Sequence, residues 1–278
     1  MDYVKSPLNY VGGKFKLLPQ ILPLFPDKIE TFVDLFGGGA NISVNVKADK
    51  IVYNDINIRV VQILETFKKE SVQSLLCYID SIIEKYKLSK TNAEGFIELR
   101  KAYNSQKYKD PIILYTLICY AFNYQIRFNS KGEYNMPFGK NRSSFNDTLR
   151  KKFINFVERL HDINIIFTNS NFEEYYDVNI EKNDFVYCDP PYLDSTAVYN
   201  ENGGWTQDNE NALYNYLNYL TNKDIKWALS NDLAVNKMAY IFAKEMKYNI
   251  HYLEANYGNC NYHKKNRNKG QEVLITNY

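Results

Sequence analysis

One four-residue segment, Asp189-Pro190-Pro191-Tyr192, carries the side chains best suited to chemistry, and it directly follows an apolar run at 184–188 that is typical of a strand. The exocyclic amine of a nucleobase is a poor nucleophile, because its lone pair is delocalised into the ring. Asp189 supplies a carboxylate acceptor for such an amine, and Pro190 can present its carbonyl as a second acceptor, because proline fixes φ and lacks an amide donor. Tyr192 can stack on the base. Taken alone, the segment is also compatible with a strand-ending Pro-Pro turn and an incidental aspartate.

A glycine turn follows another apolar run near the start of the chain. Residues 31–36 lead into Gly37-Gly38-Gly39, and a further run at 51–55 ends on Asp55. In doubly wound folds such a turn lies at the ligand-binding carboxyl edge, and an acidic residue about 20 positions later bonds ribose hydroxyls. The GxGxxG pattern is absent, so S-adenosylmethionine, which has a ribose and an adenine but no phosphate, fits better than a dinucleotide. A glycine cluster alone more often only joins a strand to a helix.

The segment Asn9-Tyr10-Val11-Gly12-Gly13-Lys14 is only partly similar to a phosphate-binding loop. Leu8 stands where that motif needs its first glycine, and Phe15 stands where it needs Ser or Thr. We therefore exclude a nucleoside triphosphatase. The Lys14 ammonium could instead hold the carboxylate of an amino-acid cofactor through a charge-assisted bond. The predicted chemistry is methyl transfer to an exocyclic amine by positioning and polarisation.

Charge and cysteine spacing exclude several other classes of protein. The net charge is +2, so any nucleic-acid surface must be local. The four cysteines form no CxxC pair, so we expect neither a disulfide framework nor a metal site. The N-terminus lacks an apolar leader, and no apolar run approaches the roughly 20 residues that span a bilayer. We expect a cytoplasmic protein with no membrane partner, either a monomer or a weak dimer.

The spacing of apolar residues changes twice along the chain. Two strands are expected at 31–36 and 51–55 with a short helix between them, and helical periodicity then continues as far as a hairpin or extended loop at 127–135. A helix at 149–160 precedes four further strand-like runs at 163–168, 184–188, 225–229 and 272–276. This order predicts an α/β fold, with a Rossmann-like doubly wound sheet built from both ends of the chain and a mainly helical insertion with a hairpin.

In this order, Asn9–Lys14, Asp34–Gly39, Asp55, Arg127–Lys140 and Asp189–Tyr192 resemble the motifs of the Dam-type (D12 class, α-group) DNA adenine-N6 methyltransferases. The likeness covers nearly the whole chain. It implies transfer of a methyl group from S-adenosylmethionine to N6 of an adenine in a short motif of double-stranded DNA. The adenine must be flipped out, because an enclosed pocket cannot reach an amine that is stacked in duplex DNA.

The resemblance also implies a division of labour along the chain. Residues 1–61 and 146–278 would form the catalytic domain, and 62–145 the target-recognition domain. Asp189, Pro190 and Tyr192 would be catalytic. Phe36 would line the cofactor pocket, and Phe172 would pack on the cofactor's adenine. The full set of implied cofactor-binding residues is Tyr10, Lys14, Phe36, Gly37, Gly38, Asp55, Phe172 and Asp189.

The implied DNA contacts centre on the hairpin. Arg127 would suit a bidentate contact to guanine, and Phe122 would wedge into the base stack. Gln125 stands where GATC-specific members of the family carry an apolar residue, so the expected target is GATC or a related site. The implied set is Phe122, Asn123, Gln125, Arg127, Asn129, Pro137, Lys140, Arg142 and Tyr199, the last stacking on the extruded base. Lys131, Lys140, Arg142 and the basic loop 264–269 would neutralise phosphates, although each lysine also suits a solvated surface.

Other functions stay compatible with these residues. Cytosine-N4 methylation uses the same amine chemistry, although that class more often has Ser where Asp189 stands, and RNA is a weaker alternative substrate. A non-catalytic DNA-binding regulator of the same fold would have no need of Tyr10, Lys14, Asp55 and Asp189 together. The sequence leaves open a restriction–modification system with a cognate restriction endonuclease, a phage role or a solitary role.

Overall fold

The computed structural model describes residues 3–10, 12–176, 178–192, 204–254 and 271–278. Its strands are β1 (Thr31–Asp34), β2 (Lys50–Asn54), β3 (Ile165–Thr168), β4 (Phe185–Cys188), β5 (Lys226–Asp232), β6 (Asn249–Tyr252) and β7 (Glu272–Thr276). Its α-helices are α1 (Leu18–Ile21), α2 (Ile58–Lys69), α3 (Val72–Lys85), α4 (Ala93–Ser105), α5 (Pro111–Tyr120), α6 (Asp147–Asp162), α7 (Gln207–Asn222) and α8 (Lys237–Glu245). Short 3-10 helices lie at Lys14–Leu17, Leu22–Leu24, Phe122–Tyr124 and Phe172–Tyr176.

The chain packs as two compact units. The first takes in the described residues of Met1–Gly13, Gly38–Asn45 and Asn57–Asn169, and the second takes in those of Lys14–Gly37, Val46–Ile56 and Ser170–Tyr278. The sequence-based division into a catalytic domain and a recognition domain concerns the roles of segments in function. It differs in its boundaries from this division by packing, and it stays a prediction.

Six strands of the second unit form a sheet in the order β2-β1-β4-β5-β7-β6. β1 pairs in parallel with β2 and β4, and β4 pairs in parallel with β5, whereas β7 runs antiparallel to β5 and β6. The predicted α/β fold with a Rossmann-like sheet is confirmed. Parallel neighbours end at one edge, so the residues that follow β1, β2, β4 and β5 are collected on one side of the sheet.

The centre of this sheet is buried on both faces. Every residue of β4 is buried, as expected for a strand with parallel neighbours on either side and apolar layers above and below. On one face the rings of Phe25, Phe185 and Tyr187 pack together, with the Phe25 and Phe185 centroids 4.7 Å apart. The other face packs Val186 and Trp227 against α7 and α8. These layers hold the strand ends in fixed register.

The first unit is organised around α5. Pro111 occupies the first helical turn, and the Asp110 side chain accepts hydrogen bonds from the amides of Ile112 and Ile113 at 2.8 and 3.0 Å. Nearly every side chain of α5 is buried, which marks it as a core helix, and α2, α3 and α4 pack around it. The mainly helical character predicted for this part of the chain is confirmed.

The structure corrects one predicted element between β1 and β2. The short helix expected there is a series of turns, because asparagine side chains compete with the helical hydrogen bonds. Asn45 exchanges hydrogen bonds of 2.8 Å with the backbone of Val4, and its Nδ2 also donates to the Asn41 carbonyl at 2.7 Å. The hairpin prediction is confirmed, with Phe128 paired antiparallel to Tyr134. β6, α1 and α8 were not predicted.

Candidate active site

The backbone at the ends of β1 and β2 leaves room only for glycine at position 37. The Gly37 amide donates to the Asn54 carbonyl at 2.7 Å, which draws the turn across the end of β2. A Cβ atom on Gly37 would lie 2.1 Å from the ring of Tyr53. Because Tyr53 is fully buried, its ring has no space to move away. The glycine predicted for a tight turn is therefore also required by close packing against the strand.

Asn54 fastens a second segment to this edge. Its Nδ2 donates to the carbonyls of Leu35 and Ser170 at 3.1 and 3.0 Å, and its Oδ1 accepts from the Ser170 amide at 3.0 Å. Asp55 follows directly and is only 8% exposed. The Asn54 side chain thus holds the start of the segment that carries Phe172 beside the predicted ribose-binding acid.

Lys14 and Asp189 form a buried ion pair. Lys14 begins a 3-10 helix, Asp189 follows β4, and the Lys14 Nζ lies 2.9 Å from the Asp189 carboxylate. The Lys14 side chain is 3% exposed and that of Asp189 is 19% exposed. Lys14 and Asp189 lie far apart in the sequence, and both were assigned to cofactor binding. In the structure they are in direct contact. The Asp189 carboxylate combines limited exposure with a fixed cation, an arrangement typical of functional sites.

Burial and charge act together on this pair. Burial raises the pKa of Asp189 to about 6, and Lys14 only partly offsets that effect. Burial alone would lower the pKa of Lys14, but Asp189 and Glu272 outweigh it, so the Lys14 pKa is raised and the ammonium stays charged. Because folding raises the pKa of Asp189 from 3.8 to about 6, this group lowers the stability as the pH rises from about 3.8 to about 6, and acidification through the same window restores it.

Glu272 is a site residue that the sequence analysis missed. It lies at the start of β7, is 3% exposed, and accepts a hydrogen bond from the Tyr192 hydroxyl at 3.0 Å. The Lys14 ammonium lies 5.0 Å from the centre of the Tyr192 ring. Glu272 thereby fixes the tyrosine of the Asp-Pro-Pro-Tyr segment from a position 80 residues further along the chain. No local sequence pattern could have revealed that contact.

Three aromatic rings pack together at the same edge of the sheet. Phe36, which follows β1, lies 5.6 Å from both Phe172 and Trp205 between ring centroids, and Phe172 and Trp205 are also 5.6 Å apart. Phe172 is buried, whereas Phe36 and Trp205 are half-buried. Phe36 and Phe172 were predicted from the family resemblance, but Trp205 was not. Its only sequence signal was its rarity, since the chain has two tryptophans.

Two predicted cofactor residues, Tyr10 and Gly38, belong to the first unit. Gly38 has φ +49°, and a Cβ atom there would lie 3.1 Å from the Tyr10 ring. The Tyr10 carbonyl accepts a hydrogen bond from the Gly13 amide at 3.2 Å, which closes the turn of the N-terminal motif. The structure therefore places the Tyr10 ring against Gly38.

The predicted wedge residue Phe122 lies on an unusual turn of the first unit. Phe122 is 39% exposed, and Asn123 and Tyr124 both have positive φ, 54° and 56°. Such backbone is uncommon for residues other than glycine and persists only where surrounding contacts hold it. Here the Asn9 side chain donates to the Asn123 carbonyl at 2.7 Å, and the Arg142 guanidinium lies 5.0 Å from the Phe122 ring centre. The turn thus presents an aromatic ring and a cation together.

The hairpin residues differ in how their side chains are engaged. The Arg127 guanidinium donates to the side chain and carbonyl of Asn135 at 2.9 and 3.2 Å. A contact to guanine must therefore use its remaining N–H groups or exchange these partners. Asn129 shapes the hairpin turn, because its Oδ1 accepts from the amides of Lys131 and Glu133 at 3.0 Å.

Two other predicted DNA-contact residues take part in hydrogen bonds through their backbone carbonyls. The Gln125 and Pro137 carbonyls accept hydrogen bonds from the Tyr134 hydroxyl and the Phe122 amide at 3.0 and 2.9 Å. Lys140 is exposed. Tyr199 and the basic loop 264–269 lie outside the described residues. Within the ranges that are described, Cys77, Cys119 and Cys188 are free thiols, no group of side chains is suited to a metal ion, and no helix is both long and apolar enough to cross a membrane.

The parallel strands deliver a glycine turn, an acid and the Asp-Pro-Pro-Tyr segment to one edge in an order typical of methyltransferases that modify exocyclic amines. Comparison with known proteins then defines the family. The chain belongs to the D12 class N6 adenine-specific DNA methyltransferases, whose family pattern matches residues 10–259. The predicted membership of this family is confirmed.

Individual relatives point the same way. The chain is 51% identical to the type II methyltransferase M.FokI of Planomicrobium okeanokoites, with 100% of this chain and 43% of that protein covered. It is 43% identical to the modification methylase StsI of Streptococcus sanguinis, with 99% of this chain and 43% of the relative covered. For the modification methylase LlaI of Lactococcus lactis subsp. lactis, the identity is 36% over 82% of this chain and 37% of the relative. The chain thus spans less than half the length of these three relatives.

The close packing at Gly37 generates a stability prediction. We expect Gly37→Ala to lower the free energy of unfolding by about 1–3 kcal/mol, because the new methyl group would overlap the buried Tyr53 ring. Urea unfolding followed by circular dichroism measures the change. Gly132→Ala is the matched control, since Gly132 also lies in a turn but has no atom within 4 Å of the added methyl, and it should show only the penalty of its φ of +72°. An unchanged midpoint for Gly37→Ala would contradict the account.

Proposed function

We propose that this protein transfers a methyl group from S-adenosylmethionine to N6 of an adenine in duplex DNA. The observation that carries the proposal is the position of Asp189-Pro190 at the carboxyl edge of the sheet, with the Asp189 carboxylate held by Lys14. Two acceptors at a ligand-binding edge suit activation of an exocyclic amine. Family membership supports adenine rather than cytosine as the base.

The residues of the second unit suit this cofactor. The buried Lys14 ammonium can bind the carboxylate of an amino-acid group when that carboxylate replaces Asp189 as its partner. The half-buried face of Phe36 suits a purine, and Asp55 suits ribose hydroxyls. S-adenosylmethionine would supply a methyl group whose bond to a positively charged sulfur breaks as the bond to nitrogen forms, which leaves a neutral thioether. The carboxylates of Asp189 and Glu272 suit a cationic ligand. Tyr10 and Gly38 are proposed to contribute on the family resemblance alone.

In the proposed reaction the protein polarises the target amine. The Asp189 carboxylate and the Pro190 carbonyl accept the two amine hydrogens, which turns the nitrogen lone pair towards the methyl group. Tyr192, held by Glu272, is placed to stack on the base. After transfer the nitrogen carries one proton too many, and a carboxylate with a pKa of about 6 can accept it at neutral pH. No covalent intermediate with the enzyme is needed.

We further propose that the hairpin region reads the DNA and that the target adenine is flipped out. Phe122 would fill the space that the base leaves, and Arg142, packed on the Phe122 ring, would neutralise a phosphate. Arg127 would read guanine, with Gln125 modifying the preference for GATC or a related site. Asn123, Asn129, Pro137 and Lys140 are proposed as supporting contacts, and Tyr199 as the residue that stacks on the extruded base.

The biological setting is part of the proposal. Residues 62–145 would recognise the target, and residues 1–61 and 146–278 would bind the cofactor and catalyse transfer. Two of the relatives are named modification methylases, which supports a role in a restriction–modification system. In that role the partner would be a cognate endonuclease that cleaves the same site when it is unmethylated.

Removing Asp189 should separate the contribution of the ion pair to activity from its contribution to stability. We expect Asp189→Ala to lower methyl transfer at least about 100-fold at saturating cofactor, because the amine loses a preorganised acceptor. The single variant should also unfold about 3 kcal/mol more easily, since it leaves Lys14 buried without its partner. Lys14→Met/Asp189→Ala should recover most of that stability while staying inactive. Transfer of a tritiated methyl group and urea unfolding provide the two readouts.

Lys182→Ala is the control for that experiment, because Lys182 is exposed and forms a surface ion pair with Asp224 at 3.4 Å. This variant should retain both activity and stability. Substantial methyl transfer by folded Asp189→Ala would contradict the proposed mechanism.

The raised pKa of Asp189 predicts an acid limit to activity. With the carboxylate required, kcat/KM for DNA should fall about tenfold per pH unit below the pKa of Asp189, because the proton occupies the acceptor. That pKa is about 6 while Lys14 is the partner of Asp189, and it rises when Lys14 exchanges Asp189 for the cofactor's carboxylate. Glu272→Gln should shift this fall in kcat/KM to lower pH, because the negative charge of Glu272 raises the Asp189 pKa. Glu84→Gln, a change at an exposed position of α3, should leave it in place. A limb that Glu272→Gln does not shift would argue against Asp189 as the titrating group.

Arg127→Ala should alter target choice more than cofactor binding. Loss of a bidentate contact to a base typically relaxes discrimination by about 1–3 kcal/mol at that position. We expect methylation of sites with one altered base pair to rise relative to the preferred site, while the Kd for S-adenosylmethionine stays constant. Lys131→Ala, at the exposed tip of the same hairpin, should weaken binding to all DNA sequences alike. An unchanged site preference in Arg127→Ala would remove Arg127 from base recognition.

A further inference from the structure

Glu210 is a fully buried acid outside the proposed reaction. It lies in the first turns of α7 and has no exposed surface. Its carboxylate accepts hydrogen bonds from the Trp205 indole N–H, the Tyr214 hydroxyl and the Asn236 Nδ2, the last at 2.6 Å. A carboxylate can be buried in this way only when donors replace the water it has lost. The three donors therefore form a fixed set around Glu210.

Two of these donors connect Glu210 to rigid surroundings. The Tyr214 ring stacks on Phe242, with centroids 4.1 Å apart and planes only 4° apart. Asn236 is the N-cap residue of α8, and its side chain accepts from the Ala239 amide at 3.2 Å. Since α7 and α8 are both held through Glu210, the third donor, Trp205, is attached to a rigid support.

Trp205 occupies a position from which it controls how the chain enters α7. Thr206 is the N-cap of the helix, so Trp205 is the residue before the cap and Glu210 is the fourth helical residue. These two positions often pack together and fix the entry angle of the chain. Here the contact is a hydrogen bond from the indole N–H, which also orients the ring. In that orientation the ring meets Phe36 and Phe172, each at 5.6 Å.

We infer that Trp205 is an aromatic wall for the adenine ring of the cofactor, and that Glu210 is the positioning residue that holds this wall in place. The inference rests on the proposed function for the identity of the ligand. Phe172 is only 4% exposed and forms the base of the cluster. Phe36 and Trp205 are half-buried, and stacking on aromatic side chains is how proteins commonly bind a purine.

Intrinsic fluorescence tests the first part of the inference. The chain has two tryptophans, and Trp227 is completely buried in the core, so Trp227→Phe leaves Trp205 as the single reporter. Titration of this variant with S-adenosylmethionine should change the Trp205 emission saturably, with the same Kd that calorimetry gives for the unchanged protein. 5′-Methylthioadenosine, which has the adenine but lacks the amino-acid group, should produce the same change.

Substitutions test the positioning role. Trp205→Phe should weaken both ligands by about threefold to tenfold, the range expected for one aromatic contact. In the Trp227→Phe background, Glu210→Gln should make Trp205 more accessible to acrylamide before any ligand is added, and should weaken binding by a similar factor. Added to Trp205→Phe, Glu210→Gln should cause no further loss, because Glu210 acts through Trp205. Should Glu210→Gln not fold, Glu210→Asp gives the same comparison with the carboxylate shortened.

The outcomes separate this inference from the proposed function. If calorimetry shows that S-adenosylmethionine binds, while Trp205 emission is constant and Trp205→Phe binds normally, the inference is overturned and the proposed function stands. If Glu210→Gln weakens ligand binding by the same factor in Trp205→Phe as in the unchanged protein, Glu210 is not acting through Trp205. If neither ligand binds the unchanged protein, the proposed function itself fails.

Discussion

The ion pair between Lys14 and Asp189 is the interaction on which the candidate site depends. Both groups are largely withdrawn from water, so each ion is tolerated because the other is 2.9 Å away. Glu272 adds a second negative charge near Lys14 and also holds Tyr192, so the Lys14 ammonium interacts with Asp189, Glu272 and the Tyr192 ring together. In the proposed function Lys14 exchanges Asp189 for the cofactor's carboxylate, and that exchange would free Asp189 to accept the target amine.

The sheet explains why residues so far apart in sequence meet. β1, β2 and β4 are parallel neighbours, so the residues that follow them must lie at one edge. Gly37 and Asn54 then determine the local backbone path. Gly37 lets the chain pass close to the Tyr53 ring, and the Asn54 side chain links the backbone of Ser170 to that of Leu35. Both contacts fix the path of the backbone at this edge, so the fold itself places the polar side chains there.

The sequence predicted the elements and residues whose causes are local. Apolar runs located β1, β2 and β4, with glycine after the first and proline after the last, and the motif order indicated that Lys14 and Asp189 share a site. It failed between β1 and β2, where Asn41 and Asn45 bind backbone in place of forming a helix. Glu272 and Trp205 were missed because Tyr192 and Phe36, which they contact, lie far from them in the sequence. The Asn135 contact that engages Arg127 likewise depends on the folded hairpin.

The central claim is that this edge of the sheet activates the amine of adenine for methyl transfer in DNA. The most direct measurement incubates the purified protein and S-adenosylmethionine with unmethylated genomic DNA and maps modified bases by single-molecule sequencing. The account predicts N6-methyladenine confined to one short motif. A map with N4-methylcytosine in place of N6-methyladenine, or a map with no modified base from protein that binds the cofactor, would contradict it.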